Sequence, residues 1–215
     1  MILAGTTGCL RAADLEGKSP PDNPQTNVWQ PEEPVSKDIW QAGVGEGFRS
    51  DAESFGLEAV GGLGLATFGS RQEHDLAMMI LSYGHMLGPV EGEGHWYRGN
   101  WEFRAELFGG AQVSPDVNWL VGLTPHLRYD FATGSRWVPF IDGGAGVSAT
   151  GIGHPDLSGT FEFNLQAGTG VHWFVQDRLA LSFEVRYLHM SCAGISHPNL
   201  GLNDVLGLVG LTWFF

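Results

Sequence analysis

The sequence predicts an all-β protein: an eight-stranded antiparallel up-and-down β-barrel that crosses a membrane. Three observations carry that expectation. Long segments alternate apolar and polar residues with period two, which aims successive side chains at opposite faces of a sheet. No apolar pattern of period 3.6 competes with them. The polar face carries full charges of both signs, and Trp and Tyr sit near segment ends on the apolar face, as in the aromatic girdles of membrane barrels.

The clearest segment is 117–131. Val117, Trp119, Val121, Leu123, Pro125, Leu127, Tyr129 and Phe131 share one face, and Asn118, Thr124, His126, Arg128 and Asp130 the other, with Leu120 and Gly122. Segment 161–174 sets Phe161, Phe163, Leu165, Ala167, Val171 and Trp173 against Glu162, Asn164, Gln166 and His172. Segment 101–111 sets Trp101, Phe103, Ala105 and Leu107 against Glu102, Arg104 and Glu106. The same reading places strands at 54–68, 74–87, 98–112, 116–131, 136–149, 160–174, 178–191 and 202–215. Residues 40–48 are a candidate extension of the first strand through a bulge.

Strands this long exceed the usual ~5–6 residues of globular sheets. They favour a membrane barrel, apolar outside, over its rival, a soluble lipocalin-like carrier with an apolar interior. No stretch of 18 apolar residues exists, so a transmembrane helix is excluded while a barrel is not. On the polar face, Glu184 and Arg186 are expected to pair inside the lumen with neighbours such as Glu162 or Arg128. The chain ends in "LVGLTWFF", like the closing strand of an outer-membrane barrel, which would set the C-terminus on the periplasmic side. The connections at 131–137 and 175–178 then read as tight periplasmic turns, and those at 150–159 and 192–201 as outer loops. The long connection at 88–97 is the exception to this scheme.

Two regions divide the chain of 215 residues. The barrel is expected over 39–215. Residues 1–38 read as the remainder of a signal segment followed by an extended arm, since "GKSPPDNPQTNVWQPEEPVSKD" holds five prolines and no periodicity.

Composition excludes several function classes. Eleven Lys and Arg stand against 24 Asp and Glu, a net charge of -13, which argues against a nucleic-acid surface. Cys9 and Cys192 are far apart and form neither a disulfide framework nor a metal spacing. His74, His95, His154 and His197 are scattered without ligand spacing, so no metal and no cofactor are expected. "GVGEGF" (43–48) has the glycines of a phosphate loop but no helix after it.

One strand breaks its own pattern. In 178–191, Leu179, Leu181, Phe183, Val185 and Tyr187 are the apolar set, and His189 and Ser191 continue the same parity. They therefore aim outward. Counting back from Phe215 through Trp213, Leu211, Val209, Gly207 and Val205 puts Asn203 outward too. The three should meet on the outer wall of a hairpin. Residues two apart on a strand face are ~7 Å apart, within reach of a serine–histidine pair with an orienting third group. A polar cluster facing hydrocarbon costs ~1 kcal/mol or more per unsatisfied group; at the rim the cost falls, so a plain interfacial role competes with a chemical one.

The segment "HMSCAGISHPNLGLN", His189 to Asn203, resembles the C-terminal motif of the outer-membrane lipid A 3-O-deacylases, also labelled acyloxyacyl hydrolase-like proteins. That motif runs His-x-Ser-Asn-Ala-Gly, a short loop, then Pro-Asn-x-Gly-x and an acidic or amide residue. "GNWEFRAELFGG" (99–110) and "LTPHLRYDFATGSRWVPFIDGGAGV" (123–147) are also similar to that family, and the likeness covers roughly 40–215. The resemblance implies a bacterial outer-membrane esterase acting on lipid A or lipopolysaccharide among outer-membrane lipids. Ser191 would be its nucleophile, His189 its base and Asn203 its third member, where the family's best-understood branch has glutamate. The oxyanion and substrate-binding set would be Cys192, Ala193 and Gly194, with Cys192 in the place of the family's asparagine. The competing expectation is a non-catalytic outer-membrane barrel, a structural or assembly component. Either leaves room for a homodimer or a larger membrane assembly.

Overall fold

The computed structural model describes residues 44–215, and the expected arm over 1–38 lies outside the described residues. Eight strands follow one another: β1 (Glu53–Gly64), β2 (Asp75–Met86), β3 (Gly99–Ser114), β4 (Asn118–Phe131), β5 (Trp137–Thr150), β6 (Phe161–Gln176), β7 (Leu179–Ser191) and β8 (Leu202–Phe214). Each pairs antiparallel with its sequence neighbours, and β1 pairs with β8 to close the barrel. The strands run 12 to 16 residues. At ~3.3 Å per residue and a tilt of ~40° they reach roughly 30 Å or more, enough for the hydrocarbon layer.

Parity decides which face is which. Phe183 and Val185 are 40% and 58% exposed, whereas Glu184 and Arg186 between them are 6% and 0% exposed. The apolar set therefore faces out all round the wall, and the soluble-carrier arrangement is ruled out. Trp101, Trp137, Trp173 and Trp213 are exposed near the end of the barrel that holds the C-terminus, and Trp119 near the opposite end. Among the described residues, no helix is long and apolar enough to cross a membrane.

The interior has three tiers. At the end formed by the connections 65–74, 115–117, 151–160 and 192–201, hereafter the loop end, Leu76, Ile80, Phe108, Leu120, Leu188 and Met190 pack together. At the terminal end Val44, Phe48, Met86, Val138, Phe174 and Phe214 form a second apolar cluster. Between them Arg104, Arg128 and Arg186 are fully buried. Arg186 pairs with Glu106 at 2.6 Å and with Glu184 at 2.6 Å. Arg128 pairs with Asp142 at 2.6 Å and with Glu184 at 3.0 Å. Arg104 pairs with Glu58 and Glu106. Of the two lumen partners expected for this group, Arg128 takes Glu184 directly, and among the described residues no ion pair to Glu162 forms.

One segment departs from the sequence reading. Residues Val44–Phe48 form a 3-10 turn rather than a strand extension. Phe48 enters the terminal end and packs near Phe174 and Phe214, with ring centroids 5.6 and 5.1 Å away. A Phe ring contributes ~1.5–3 kcal/mol when buried, which favours docking Phe48 inside the barrel over leaving it on an extended strand. The connection 87–98 is long because it has structure of its own. It bridges Glu91 to Gly99 and lays Tyr97 against the wall, where the Tyr129 hydroxyl donates to the Tyr97 carbonyl.

Candidate active site

β7 delivers three polar side chains to the outer wall in succession: Tyr187, His189 and Ser191. The neighbouring ladder sets His189 directly opposite Asn203 of β8, and Leu165 and Phe163 of β6 opposite His189 and Ser191. Directly opposed Cβ atoms lie ~4.5–5.5 Å apart, so a histidine and an asparagine at such a pair can bond.

They do. His189 Nδ1 lies 2.8 Å from Asn203 Oδ1. Tyr187 donates its hydroxyl to the same oxygen at 2.6 Å. Asn203 Nδ2 in turn donates to the Thr67 carbonyl at 2.9 Å. That last bond fixes which end of the amide is oxygen, because a flipped amide would set two acceptors against each other. His189 Nδ1 therefore carries the proton and Nε2 keeps its lone pair. Asn203 lies on the outward parity yet is only 1% exposed. The connection 65–74 folds over it, and Phe68 packs edge-on to Tyr187 at 6.5 Å. A lipid-facing amide is thereby satisfied on all sides, as an apolar surround demands.

Gly201 completes the nest. Its φ of +82° is open to glycine without strain, and a Cβ built there would lie 2.8 Å from His189 Cε1. Its backbone therefore forms one wall of the imidazole slot.

Ser191 ends β7, half-buried, on the same outer face as His189. Among the described residues its hydroxyl makes no hydrogen bond, to His189 or to any other group. The chain then reverses through Cys192–Ile195, closed by the Ile195 N–H to the Cys192 carbonyl at 3.1 Å. Ala193 and Gly194 both have positive φ, +52° and +83°, the signature of a type I′ turn. For Ala193 that conformation is strained.

Cys192 faces inward. Its N–H donates to Asn199 Oδ1 at 3.0 Å, and its thiol points to the same oxygen and to the Ser196 carbonyl. The Ser196 hydroxyl, donating to the sulfur, holds the thiol below its ordinary pKa range. The Gly194 N–H also faces the thiol. Of the three residues named for oxyanion binding, only Ala193 has a backbone N–H with no partner among the described residues.

The sequence reading missed four contributors: Tyr187, Thr67, Gly201 and Asp156. Tyr187 was visible in principle, two residues before His189 on the same face. The others act through backbone groups or across distant loops and leave no local pattern. Asp156 accepts from Arg71 N, Gln72 N, Ser70 Oγ and His74 Nε2 at 2.7, 2.9, 3.2 and 2.9 Å. Burial works against its charge, but the bonds from Arg71 and His74 outweigh it and hold the carboxyl below its usual range.

In the lumen, Glu106, His126 and Asp142 bring ligand-type atoms within 4.8 Å of one another. Both carboxylates are already engaged by Arg186 and Arg128, so an added cation would meet two guanidinium groups. This cluster belongs to the ionic tier.

Comparison with known proteins bears on the same region. The model of the family described as lipid A 3-O-deacylase (PagL) matches residues 77–212. The crystal structure of the outer membrane enzyme PagL is similar at TM-score 0.53 and 20% identity, covering 72% of this chain and 97% of that one. The crystal structure of Neisserial surface protein A is similar at TM-score 0.54 and 16% identity, covering 76% of this chain and 99% of that one. At these identities the two structures speak to the barrel fold alone. No curated protein matches the chain.

Proposed function

Because the chain belongs to the lipid A 3-O-deacylase family of the bacterial outer membrane, we propose that it hydrolyses an ester-linked acyl chain of lipid A on the outer wall of the barrel, with Ser191, His189 and Asn203 as its catalytic group. The loop end then faces the outer leaflet, where lipopolysaccharide resides.

The observation that carries this reading is the anchored amide of Asn203. In serine hydrolases the loss of the carboxylate is severe, ~10⁴ in kcat, because an unconstrained amide stabilises the wrong imidazole tautomer. Here Thr67 holds the NH2 end away, and Oδ1 meets His189 Nδ1. The correct tautomer is kept without a negative charge, as in hydrolases that use asparagine as third member. Tyr187 donates to the same oxygen and holds it in place.

The steps follow. An ester carbonyl enters beside Ser191. His189 Nε2 takes the Ser191 proton as Oγ attacks, after the rotamer shift that brings the two together in the substrate complex. The tetrahedral oxyanion is met by the Ala193 N–H. The imidazolium then protonates the departing sugar oxygen, leaving an acyl group on Ser191. A water, deprotonated by His189, releases the fatty acid.

The test is mass spectrometry of lipid A from cells carrying the wild-type protein or Ser191→Ala. Wild type should lose an ester-linked chain and the variant should not. Equal deacylation by both would remove Ser191 from the mechanism. The second reading, a non-catalytic barrel, is favoured by one observation: the Cys192 N–H is spent on Asn199. It predicts unchanged lipid A in both strains.

A further inference from the structure

All four connections at the loop end are linked through one buried residue, Asp156. Asp156, in 151–160, is 0% exposed. Its side chain gathers Ser70, Arg71, Gln72 and His74 from the first connection. His74 Nδ1 lies 2.6 Å from Gln112 Oε1, while Gln112 Nε2 donates to the Asp116 carbonyl of the second connection at 2.7 Å. That donation fixes the Gln112 amide, so His74 Nδ1 donates to its Oε1, and Nε2 faces the Asp156 carboxylate.

The same residue grips the fourth connection with its backbone. The Asp156 carbonyl accepts the Leu200 and Gly201 N–H groups at 3.0 and 3.3 Å. Gly201 is the residue whose backbone abuts His189 Cε1. A continuous path therefore runs from the Asp156 carboxylate, through its own carbonyl and Gly201, to the edge of the imidazole.

We infer that Asp156 is a positioning residue for His189: it clamps Gly201 against the ring so that the imidazole cannot swing away from Asn203 toward the lipid. The inference rests on the reading of His189 as the general base. Nothing on β7 itself blocks that rotation, since among the described residues the ring has only Asn203 as a hydrogen-bond partner. A catalytic group held loosely loses rate steeply, with a misplacement of ~1 Å costing about 10²-fold. The wall site is therefore as well ordered as the loop crown above it.

The test uses the full-length barrel folded in detergent micelles, labelled with 15N-histidine. The variants are Asp156→Ala, Asp156→Asn and, as a control, Ser158→Ala. Ser158 ties the same two connections through Ser196 at 2.6 Å without touching Gly201. Heat-modifiable gel mobility confirms that each barrel is folded. For Asp156→Ala, the His189 ring nitrogens should leave the single Nδ1–H tautomer for an exchange average. Its kcat on lipopolysaccharide should fall at least tenfold, with KM within twofold. Asp156→Asn should retain more activity, because its Oδ1 still takes the Arg71 N–H and His74 can turn an acceptor nitrogen to its NH2. Ser158→Ala should match wild type in both readouts. Wild-type His189 ring signals in Asp156→Ala would overturn the inference whatever happens to rate. The ring signals do not depend on turnover, so a failed deacylase reading, seen as full fatty-acid release by Ser191→Ala, stays distinguishable.

Discussion

Gly201 lies so close to His189 that a single methyl group on it would meet Cε1 at 2.8 Å. Both the contact and the left-handed backbone, φ +82°, demand glycine. Gly201→Ala should push the imidazole off the Asn203 oxygen and lower kcat by roughly 10²-fold, the usual penalty for a ~1 Å displacement of a reacting group. Steady-state deacylation of purified lipopolysaccharide checks this, with gel mobility reporting an intact barrel. Activity within twofold of wild type would show that the glycine is needed for the turn alone.

Asn203→Ala and Tyr187→Phe test the orienting pair separately. The first leaves the His189 Nδ1–H without an acceptor and should cost about 10²–10⁴ in kcat, the range of a general base lost as such. The second removes one neutral hydrogen bond, of about 1 kcal/mol, and keeps the ring against Phe68, so the rate should fall only about fivefold. An equal loss in both variants would mean that Tyr187 has a larger part than steadying the amide.

The loop crown should be acid-sensitive. The Asp156 carboxyl is held below its ordinary value of 3.8, so its bonds add stability above that value. The contribution drains away as pH falls from about 4 through the lower folded value. Limited proteolysis should therefore begin to cut within 151–160 and 192–201 below about pH 4, and Asp156→Asn should flatten the response. A wild-type cleavage rate independent of pH across the acid range would contradict this.

The ionic tier should govern global stability. Arg186→Met takes the main cationic partner from Glu106 and Glu184 inside the barrel and leaves them to Arg104 and Arg128. Breaking a buried pair from one side costs about 3–5 kcal/mol. Urea unfolding in detergent, followed by tryptophan fluorescence, should show a loss of that size. An unchanged midpoint would mean that Arg128 and Arg104 absorb the stranded charges.

Much of this architecture is readable from period two alone. A strand cannot turn one side chain without turning all of them, so the outward aim of His189 and Ser191 follows from the parity of Leu181, Phe183 and Val185. The barrel follows too, because Glu102, Arg104, Arg128 and Asp130 need a common interior. Residues 44–48 resist such reading: their glycines mimic alternation, while Phe48 is drawn to the aromatic rings of Phe174 and Phe214 from distant strands. The crown resists it for a related reason. Asp156 acts largely through backbone groups of other connections, and hydrogen bonds to N–H and C=O leave no trace in residue type. Cys192 shows the limit at the site itself. Its position in the motif marks it for the oxyanion, but which way its N–H points depends on Asn199, seven residues on.

Asn203 is finished by groups on the first hairpin, not its own: its amide reaches the Thr67 carbonyl, and its own carbonyl receives the Leu65 N–H. These bonds exist only once the first and last strands have zipped together. A chain still in transit through the periplasm, or waiting on its insertion machinery, has the histidine and the serine but no fixed amide beside them. On the proposed reading the hydrolase is thus switched on by the act of membrane insertion, and precursors on the way cannot damage the lipids they pass.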